Sequence, residues 1–193
     1  MQLSKLDLDS FASGQMQSKI WLVEQLEKLL TTHPDEGYRI WILGGWYGLT
    51  NAILRIRNNI PVHHVRSFDI DPDVEPIADK VNSLWEWKEW QFKASTIDVN
   101  ELVYDSNNPD LPHIVINTSV EHMPDRKWFE NIPSRTLVVL QANNMQHEDH
   151  CKIYNHEDEL LEDFPMSRIV FADKIHFDYV SWNFDRYMII GYK

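Results

Sequence analysis

The chain has 193 residues, 43% hydrophobic and 25% charged, which indicates one globular domain with a full core and excludes a disordered chain. Its formal net charge of −12 makes nucleic acid an unlikely partner, because binding to phosphates depends on Lys and Arg. A single cysteine, Cys151, excludes an intrachain disulfide, and no apolar run approaches the ~20 residues that span a bilayer, so we expect a cytoplasmic protein with no membrane partner.

The first part of the chain predicts helix, strand and helix in turn. "SKIWLVEQLEKLLTTH" has leucines at helical spacing on one face, with Ser18 as a candidate N-cap. We expect residues 1–34 to form a helical segment that packs on or covers a ligand site. The apolar run "YRIWIL" predicts a buried parallel strand, and "LTNAILRIRNN" predicts a helix after it.

The remaining elements continue this alternation. "VHHVRSFDI" predicts a second strand, and "DPDVEPIADKVNSLW" predicts a helix that starts at Asp71 with Pro72 in its first turn. "WQFKA", "HIVIN" and "TLVVLQ" predict three more strands, "DRKWFENI" a helix, and residues 167–193 an antiparallel hairpin. The sequence therefore predicts a single α/β domain over 1–193, with a doubly wound, mostly parallel seven-stranded sheet, helices on both faces and a C-terminal antiparallel hairpin.

The stretch "LGGWYG" carries the first indication of a ligand. A dinucleotide fingerprint fails in both registers, because Trp46 or Tyr47 occupies the place of the second glycine, and the P-loop pattern is absent too. S-adenosylmethionine needs close backbone approach but no pyrophosphate cradle, and its sulfonium tolerates aromatic faces. The stretch thus favours S-adenosylmethionine over NAD, with plain core packing of Trp46 and Tyr47 as the alternative.

Asp69 supplies a second indication. It lies 21 residues beyond Gly48 (69 − 48), at the predicted end of the second strand. An acid at this distance from a glycine turn is placed to accept hydrogen bonds from ribose hydroxyls. Asp71, two residues later, is a helix cap instead.

Three motifs together resemble those of class I S-adenosylmethionine-dependent methyltransferases. "ILGGWYG", "FDIDPDVEPIADKVN" and "HIVINTSVEHM" are similar to the first, second and fourth motifs of that family, over about residues 38–145. The resemblance implies a Rossmann-like fold, S-adenosylmethionine as cofactor and methyl transfer as activity. By this resemblance, Gly44, Gly45 and Gly48 would line the methionine end of the cofactor, and Asp69 would bind its ribose. Ile70 would flank the adenine. Asn117 and Thr118 would lie near the transferred methyl group.

The sequence departs from the family at two contacts. Trp46 stands where the family has its middle glycine, beside the expected sulfonium, and the acid that often precedes the glycines is absent. The acid expected near the adenine amine has no clean match, which leaves Asp98, or Ser95 and Thr96. A helix folded over the cofactor would bring Lys19 to the methionine carboxylate, although a surface lysine is the ordinary alternative.

Glu121 and His122, just past the fourth strand, are the candidate catalytic residues. His122 is the natural base for an acceptor that carries a proton, since an unperturbed histidine has a pKa near ~6.5. The alternative is that the pair only braces the helix near Asp125. Asn143 and Asn144, at the end of the fifth strand, are candidate substrate contacts.

The acidic, histidine-rich segment 147–159 leaves a metal site open, but we expect no metal among the site residues. The candidate ligands are His147, Glu148, Asp149, His150 and His156, with His147 and His150 three apart, as on one face of a helix. The acceptor is expected to be a small molecule or a polar group of a protein. The competing functions are a non-catalytic binding or scaffold protein of the same fold, aminopropyl transfer, and cofactor cleavage.

Overall fold

The computed structural model describes residues 7–86, 90–179 and 182–193. Its strands are β1 (Tyr38–Leu43), β2 (Val62–Asp69), β3 (Phe92–Thr96), β4 (Ile114–Asn117), β5 (Leu137–Asn143), β6 (Arg168–Asp178) and β7 (Asn183–Tyr192). Its α-helices are α1 (Ser13–Leu29), α2 (Leu49–Arg57), α3 (Val74–Val81), α4 (Ser83–Glu86), α5 (Lys127–Glu130) and α6 (Glu157–Asp163). Short 3-10 helices cover Leu8–Phe11, Val99–Glu101 and Val120–His122.

The seven strands form one mixed sheet in the order β3-β2-β1-β4-β5-β7-β6. This confirms the predicted fold class, a mostly parallel sheet with an antiparallel C-terminal hairpin. The chain divides into two compact units, Met1–Asp98 and Val99–Lys193. The single domain predicted over 1–193 stays a prediction.

In the first unit, β1, β2 and β3 are parallel neighbours. Leu43 is in register with Phe68, and Asp69 is in register with Thr96, so the three strands end at one edge of the sheet. Five of the six β1 residues are buried, as the apolar run predicted for a strand covered on both faces. The loops that follow these strand ends therefore emerge together.

In the second unit, β4 and β5 are parallel, and β7 pairs antiparallel with both β5 and β6. All four β4 residues and all seven β5 residues are buried, so these strands form the core of the unit. The residues of β6 show little alternation between buried and exposed, and most are exposed, because β6 is an edge strand of the sheet. Val180 and Ser181, inside the predicted hairpin segment, lie outside the described residues.

Several predicted helix boundaries were wrong. α1 begins at Ser13, so Ser18 is a buried residue inside the helix and not its N-cap. α3 begins at Val74, and Pro72 lies in the turn before it; the Asp71 Oδ1 accepts a hydrogen bond from the Asp73 N–H at 2.9 Å in that turn. Helix α6 was not predicted. Within the described ranges, no helix combines the length and apolarity needed to cross a bilayer.

Candidate functional site

The turn after β1 presses its backbone against the end of β2. The N–H groups of Gly44 and Gly45 donate to the Phe68 carbonyl oxygen at 2.9 and 3.2 Å. A Cβ on Gly45 would overlap the Ser67 hydroxyl. Gly44 and Gly48 have φ angles of 63° and 69°, in the left-handed region that glycine enters freely. The glycines at these positions thus have steric reasons to be there.

Trp46 takes a left-handed backbone conformation, which glycine adopts freely, at the place where the resemblance expects a glycine. Its φ is 46°, a left-handed value that costs a non-glycine residue about 1–2 kcal/mol. Its backbone N–H donates to the Asp69 Oδ2 at 3.0 Å, which helps to hold this conformation. The loop therefore keeps a glycine-like backbone course without the glycine.

Tyr47 is a core residue, with 6% of its surface exposed, whereas Trp46 is only half-buried. The Tyr47 hydroxyl accepts a hydrogen bond from the Asp7 N–H at 3.2 Å. This contact brings Asp7 to the glycine turn. The predicted packing of residues 1–34 stays a prediction, and residues 1–6 lie outside the described residues. Whether the segment covers a cofactor stays a prediction.

Asp69 lies at the end of β2, where its carboxylate accepts hydrogen bonds from nearby backbone N–H groups. Besides Trp46, the Asp71 N–H donates to it, to Oδ1 at 3.2 Å. Burial raises the pKa of Asp69, and these backbone N–H groups partly oppose that rise. The next side chain, Ile70, is 69% exposed, although it is a large apolar residue. The first and second motifs thus meet in space, as their sequence spacing predicted.

The three candidates near the adenine differ in their surroundings. The Thr96 backbone N–H and hydroxyl both donate to the Glu75 Oε2 at 2.8 Å, so that hydroxyl is already engaged. Ser95 is half-buried within β3. Asp98 is also half-buried, and the preceding Ile97 N–H donates to the Asp69 carbonyl oxygen at 2.8 Å, which brings this stretch to the end of β2. Asp98 is the better placed of the three, and its adenine contact stays a prediction.

Lys19 is a buried lysine and not a surface one. Only 6% of its surface is exposed, and its Nζ donates to the Gln15 Oε1 one helical turn earlier, at 2.8 Å. A lysine is rarely buried without a partner. Its contact with a methionine carboxylate stays a prediction.

Asn117 and Thr118 lie at the end of β4 in the second unit, where both are buried. The Asn117 Oδ1 accepts a hydrogen bond from the Ser119 N–H at 2.9 Å, and its Nδ2 has no hydrogen-bond partner among the described residues. The Thr118 carbonyl oxygen accepts a hydrogen bond from the Arg186 guanidinium at 3.4 Å. Their predicted place near a transferred methyl group is not tested by these contacts.

Glu121 belongs to a buried polar cluster with Asn143 and Arg186. Glu121 is 2% exposed and Arg186 is 4% exposed, and an Arg186 guanidinium nitrogen lies 3.5 Å from the Glu121 Oε1. The Asn143 side-chain amide donates to the same Oε1. Such pairing fits the bracing alternative for Glu121 better than contact with a substrate. Its catalytic role stays a prediction.

Arg186 is the residue that the sequence reasoning missed. The signal available was an arginine directly before the apolar run "YMIIGY", on a strand that proved to be buried. The two candidate substrate contacts also have partners inside the second unit. The Asn143 Oδ1 accepts from the Met145 N–H at 2.9 Å, and the Asn144 Oδ1 accepts from the Asp185 N–H at 2.8 Å. Their contact with a substrate stays a prediction.

His122 is exposed, and its ring meets that of His150 edge to face, with centroids 4.7 Å apart. The His122 Nδ1 lies 3.1 Å from the Asp149 carbonyl oxygen. One ligand atom from each of Glu121, His122 and His150 lies within 4.8 Å of the other two. Burial lowers the pKa of His150, which favours its neutral form.

The histidine-rich segment differs from the arrangement considered from sequence. His147 and His150 lie on either side of a turn and not on a helix, with ring centroids 5.6 Å apart. His156 instead caps α6, where its Nδ1 accepts from the Asp158 N–H at 3.2 Å. Of the histidines considered, His150 is the one whose ring contacts His122 among the described residues.

A surface pocket of about 590 Å³ lies in the second unit. Its walls include Arg126, Lys152 and Tyr154, and none of the predicted site residues lines it. We therefore do not identify it with the predicted cofactor site.

Comparison with solved structures agrees with the topology. The N-methyltransferase NodS from Bradyrhizobium japonicum, in complex with S-adenosyl-L-homocysteine, has a TM-score of 0.67 at 11% identity, covering 98% of this chain and 94% of that one. The chain has the class I methyltransferase fold. Magnesium protoporphyrin IX methyltransferase from Synechocystis, with bound S-adenosylhomocysteine, has a TM-score of 0.66 at 12% identity, covering 97% and 89% of the two chains.

A third structure with this fold is named as a cyclase and not as a methyltransferase. The [4+2]-cyclase SpnF has a TM-score of 0.63 at 14% identity, covering 85% of this chain and 63% of that one. No family model matches the chain, and no curated protein matches it in sequence. At these identities the likeness shows the fold, and the activity has to be argued from the site.

Proposed function

We propose that this protein is an S-adenosylmethionine-dependent methyltransferase that acts on a small molecule or on a polar group of a protein. The observation that carries the proposal is the meeting of the glycine turn with Asp69. The Trp46 N–H donates to the Asp69 carboxylate, and the turn lies against the end of β2. Two structures with the same fold hold S-adenosylhomocysteine.

The residues of the first unit fit the cofactor chemically. A carboxylate has about four acceptor positions, so the backbone N–H groups at Asp69 leave room for a ribose hydroxyl. The exposed Ile70 offers an apolar face beside that carboxylate, as an adenine ring requires. The cofactor would supply a methyl group already activated by a sulfonium, so the chain's main task is to align the acceptor with it.

The scaffold alternative rests on the missing middle glycine and on the missing acid near the adenine, and the backbone of the turn argues against the first of these. Trp46 takes a φ of 46°, so the turn keeps the left-handed residue at that place. Strained backbone of this kind is typical of functional sites, which supports a turn that binds a ligand. By the resemblance, Asn117 and Thr118 would lie near the methyl group. His122, just past the end of β4, is the candidate base for an acceptor that carries a proton, on the ground of its position and its side-chain chemistry.

A second candidate is another reaction that uses the same cofactor and fold. The likeness to the [4+2]-cyclase favours keeping it, because that structure shows that the fold also serves a protein not named a methyltransferase. Aminopropyl transfer and cofactor cleavage belong to this class. Methyl transfer predicts S-adenosylhomocysteine as the product, and these reactions predict a different one.

Calorimetric titration in metal-free buffer tests the cofactor. We expect micromolar binding of S-adenosylmethionine and S-adenosylhomocysteine and no binding of NAD. Asp69→Ala should weaken binding at least tenfold, because it removes the ribose acceptor. Asp73→Ala is the matched control, since Asp73 is exposed and its side chain makes no capping hydrogen bond to α3. Full cofactor affinity in Asp69→Ala, or equal losses in both variants, would refute the assignment.

A further inference from the structure

We propose that Glu121, His122 and His150 bind one divalent transition-metal ion such as Zn²⁺. One ligand atom from each residue lies within 4.8 Å of the other two, and inward shifts of about 1 Å bring them to the ~2.0–2.2 Å ligand distances of Zn²⁺. The proposal does not rest on the cofactor or on methyl transfer, since it is argued from contacts within the second unit. An ion bound through the His122 Nε2 takes up the lone pair that a base needs, so in the ion-bound protein His122 is a ligand and not the base for an acceptor.

The hydrogen bonds of the two histidines involve Nδ1 and leave the Nε2 of each ring available to coordinate a metal ion. The Nδ1 of His122 lies 3.1 Å from the Asp149 carbonyl oxygen, and the Nδ1 of His150 lies 2.8 Å from the Met145 carbonyl oxygen. Only a protonated nitrogen bonds to a carbonyl oxygen, so Nδ1 carries the proton in each ring and Nε2 keeps its lone pair. Metal-bound histidines are typically held in this way, with the second ring nitrogen donating to a carbonyl or carboxylate.

Glu121 gives an independent indication of a missing cation. Its Oε1 accepts from Asn143 and lies 3.5 Å from the Arg186 guanidinium. Its Oε2 is buried and has no hydrogen-bond partner among the described residues, although the side chain is only 2% exposed. A buried carboxylate oxygen left without a partner is unfavourable, because it has given up its hydrogen bonds to water. Coordination of a cation by Oε2 removes this cost.

Backbone contacts hold the three ligands in place before any ion binds. The N–H groups of Cys151 and Lys152 donate to the Glu121 carbonyl oxygen at 2.8 and 3.3 Å. They fix the loop that carries His150 against the 3-10 helix that carries Glu121 and His122. Since His122 is exposed, an ion can enter from solvent.

The ligand set selects the kind of ion. Two imidazoles and one carboxylate suit Zn²⁺ and its first-row neighbours, whereas Mg²⁺ and Ca²⁺ prefer oxygen ligands throughout. Three protein ligands leave a fourth position open, which is the arrangement of zinc sites that also bind water or substrate. We therefore expect binding of Zn²⁺ or Co²⁺ and none of Mg²⁺ at the same concentration.

The test is titration of the metal-free protein with Zn²⁺ by calorimetry and with Co²⁺ by visible absorption. A Cys151→Ser background removes the chain's exposed thiol, which binds zinc by itself. We expect one ion per chain, with proton release that grows as the pH is lowered. His150→Ala and His122→Ala should each weaken binding at least tenfold. Both histidines are at least partly exposed, so the variants should fold.

Two matched controls separate this site from ordinary binding by surface histidines. His147→Ala removes a ring that contacts His150 but is not a proposed ligand, and His156→Ala removes the exposed cap of α6. Both should bind the ion as the parent does. Absence of a site in the parent, or equal losses in the control and ligand variants, would overturn the proposal.

Discussion

The substitution Gly48→Ala tests the glycine turn most directly. Gly48 has a φ of 69°, a conformation that costs an alanine about 1–2 kcal/mol. The new Cβ would also overlap the Asn82 side-chain amide and lie 2.8 Å from the Phe92 ring, both fully buried. Forcing a methyl group into a packed core costs about 1–3 kcal/mol. We therefore expect a loss of about 2–5 kcal/mol in the free energy of unfolding.

The overlap has a second consequence, because Asn82 holds neighbouring elements together. Its Nδ2 donates to the Ala78 carbonyl oxygen at 2.9 Å, and its Oδ1 accepts from the Asn51 side chain, also at 2.9 Å. Displacing the amide would strain both bonds, so the loss should lie in the upper part of that range.

Urea denaturation followed by circular dichroism measures the loss. Gly14→Ala is the control, since Gly14 lies within α1, where alanine is the better helix former. It should leave stability unchanged or raise it slightly. A loss below about 1 kcal/mol in Gly48→Ala, with an unchanged denaturant slope, would show that the turn is not built as described.

Three further predictions concern the backbone of Trp46, the pairing of Arg186 with Glu121, and the carboxylate of Asp69. Trp46→Gly should be about 1 kcal/mol more stable to urea than Trp46→Ala, because both lose the ring but only alanine keeps the left-handed strain; equal stabilities would contradict the φ of 46°. In metal-free buffer, Arg186→Met should cost about 3–5 kcal/mol of unfolding free energy by leaving the buried Glu121 charge unpaired, and adding Glu121→Gln should restore most of it; additive losses would deny the pairing. Since the ionised Asp69 accepts the ribose hydrogen bonds, affinity for S-adenosylmethionine should fall as the pH is lowered through its raised pKa, starting at a higher pH than for an ordinary aspartate; calorimetry across pH checks this, with Asp69→Ala expected to lack that step.

Much of the fold was predictable because its signals are local. Apolar runs such as "YRIWIL" and "HIVIN" became β1 and β4, and the alternation of strands and helices gave the mixed sheet. Helix starts were less predictable, because several residues near each start are capable of capping. Ser18 has the side chain of a cap but lies inside α1, where its neighbours bury it. Helix α6 follows a segment that its histidines made look like a surface loop.

The first half of the candidate site was also predictable, because strand ends carry their loops to one edge of a sheet. The glycine turn and Asp69 each lie within a few residues of a strand end. Because β1 and β2 pair in parallel, these two strand ends are neighbours and the turn contacts Asp69. The apolar pattern of the strands and the spacing between Gly48 and Asp69 were enough to predict this contact. The same reasoning placed Glu121 and His122 after β4 but gave them no partners.

The sequence alone determined the class of fold and the position of the glycine turn, since these follow from local patterns of apolar and turn residues. Only the tertiary structure decided that Trp46 takes a left-handed backbone, that Arg186 neutralises Glu121, and that His150 reaches His122. Each of these depends on a contact between residues far apart in the chain. Such contacts form when separate elements pack together, and no spacing within a single segment records which residues will meet.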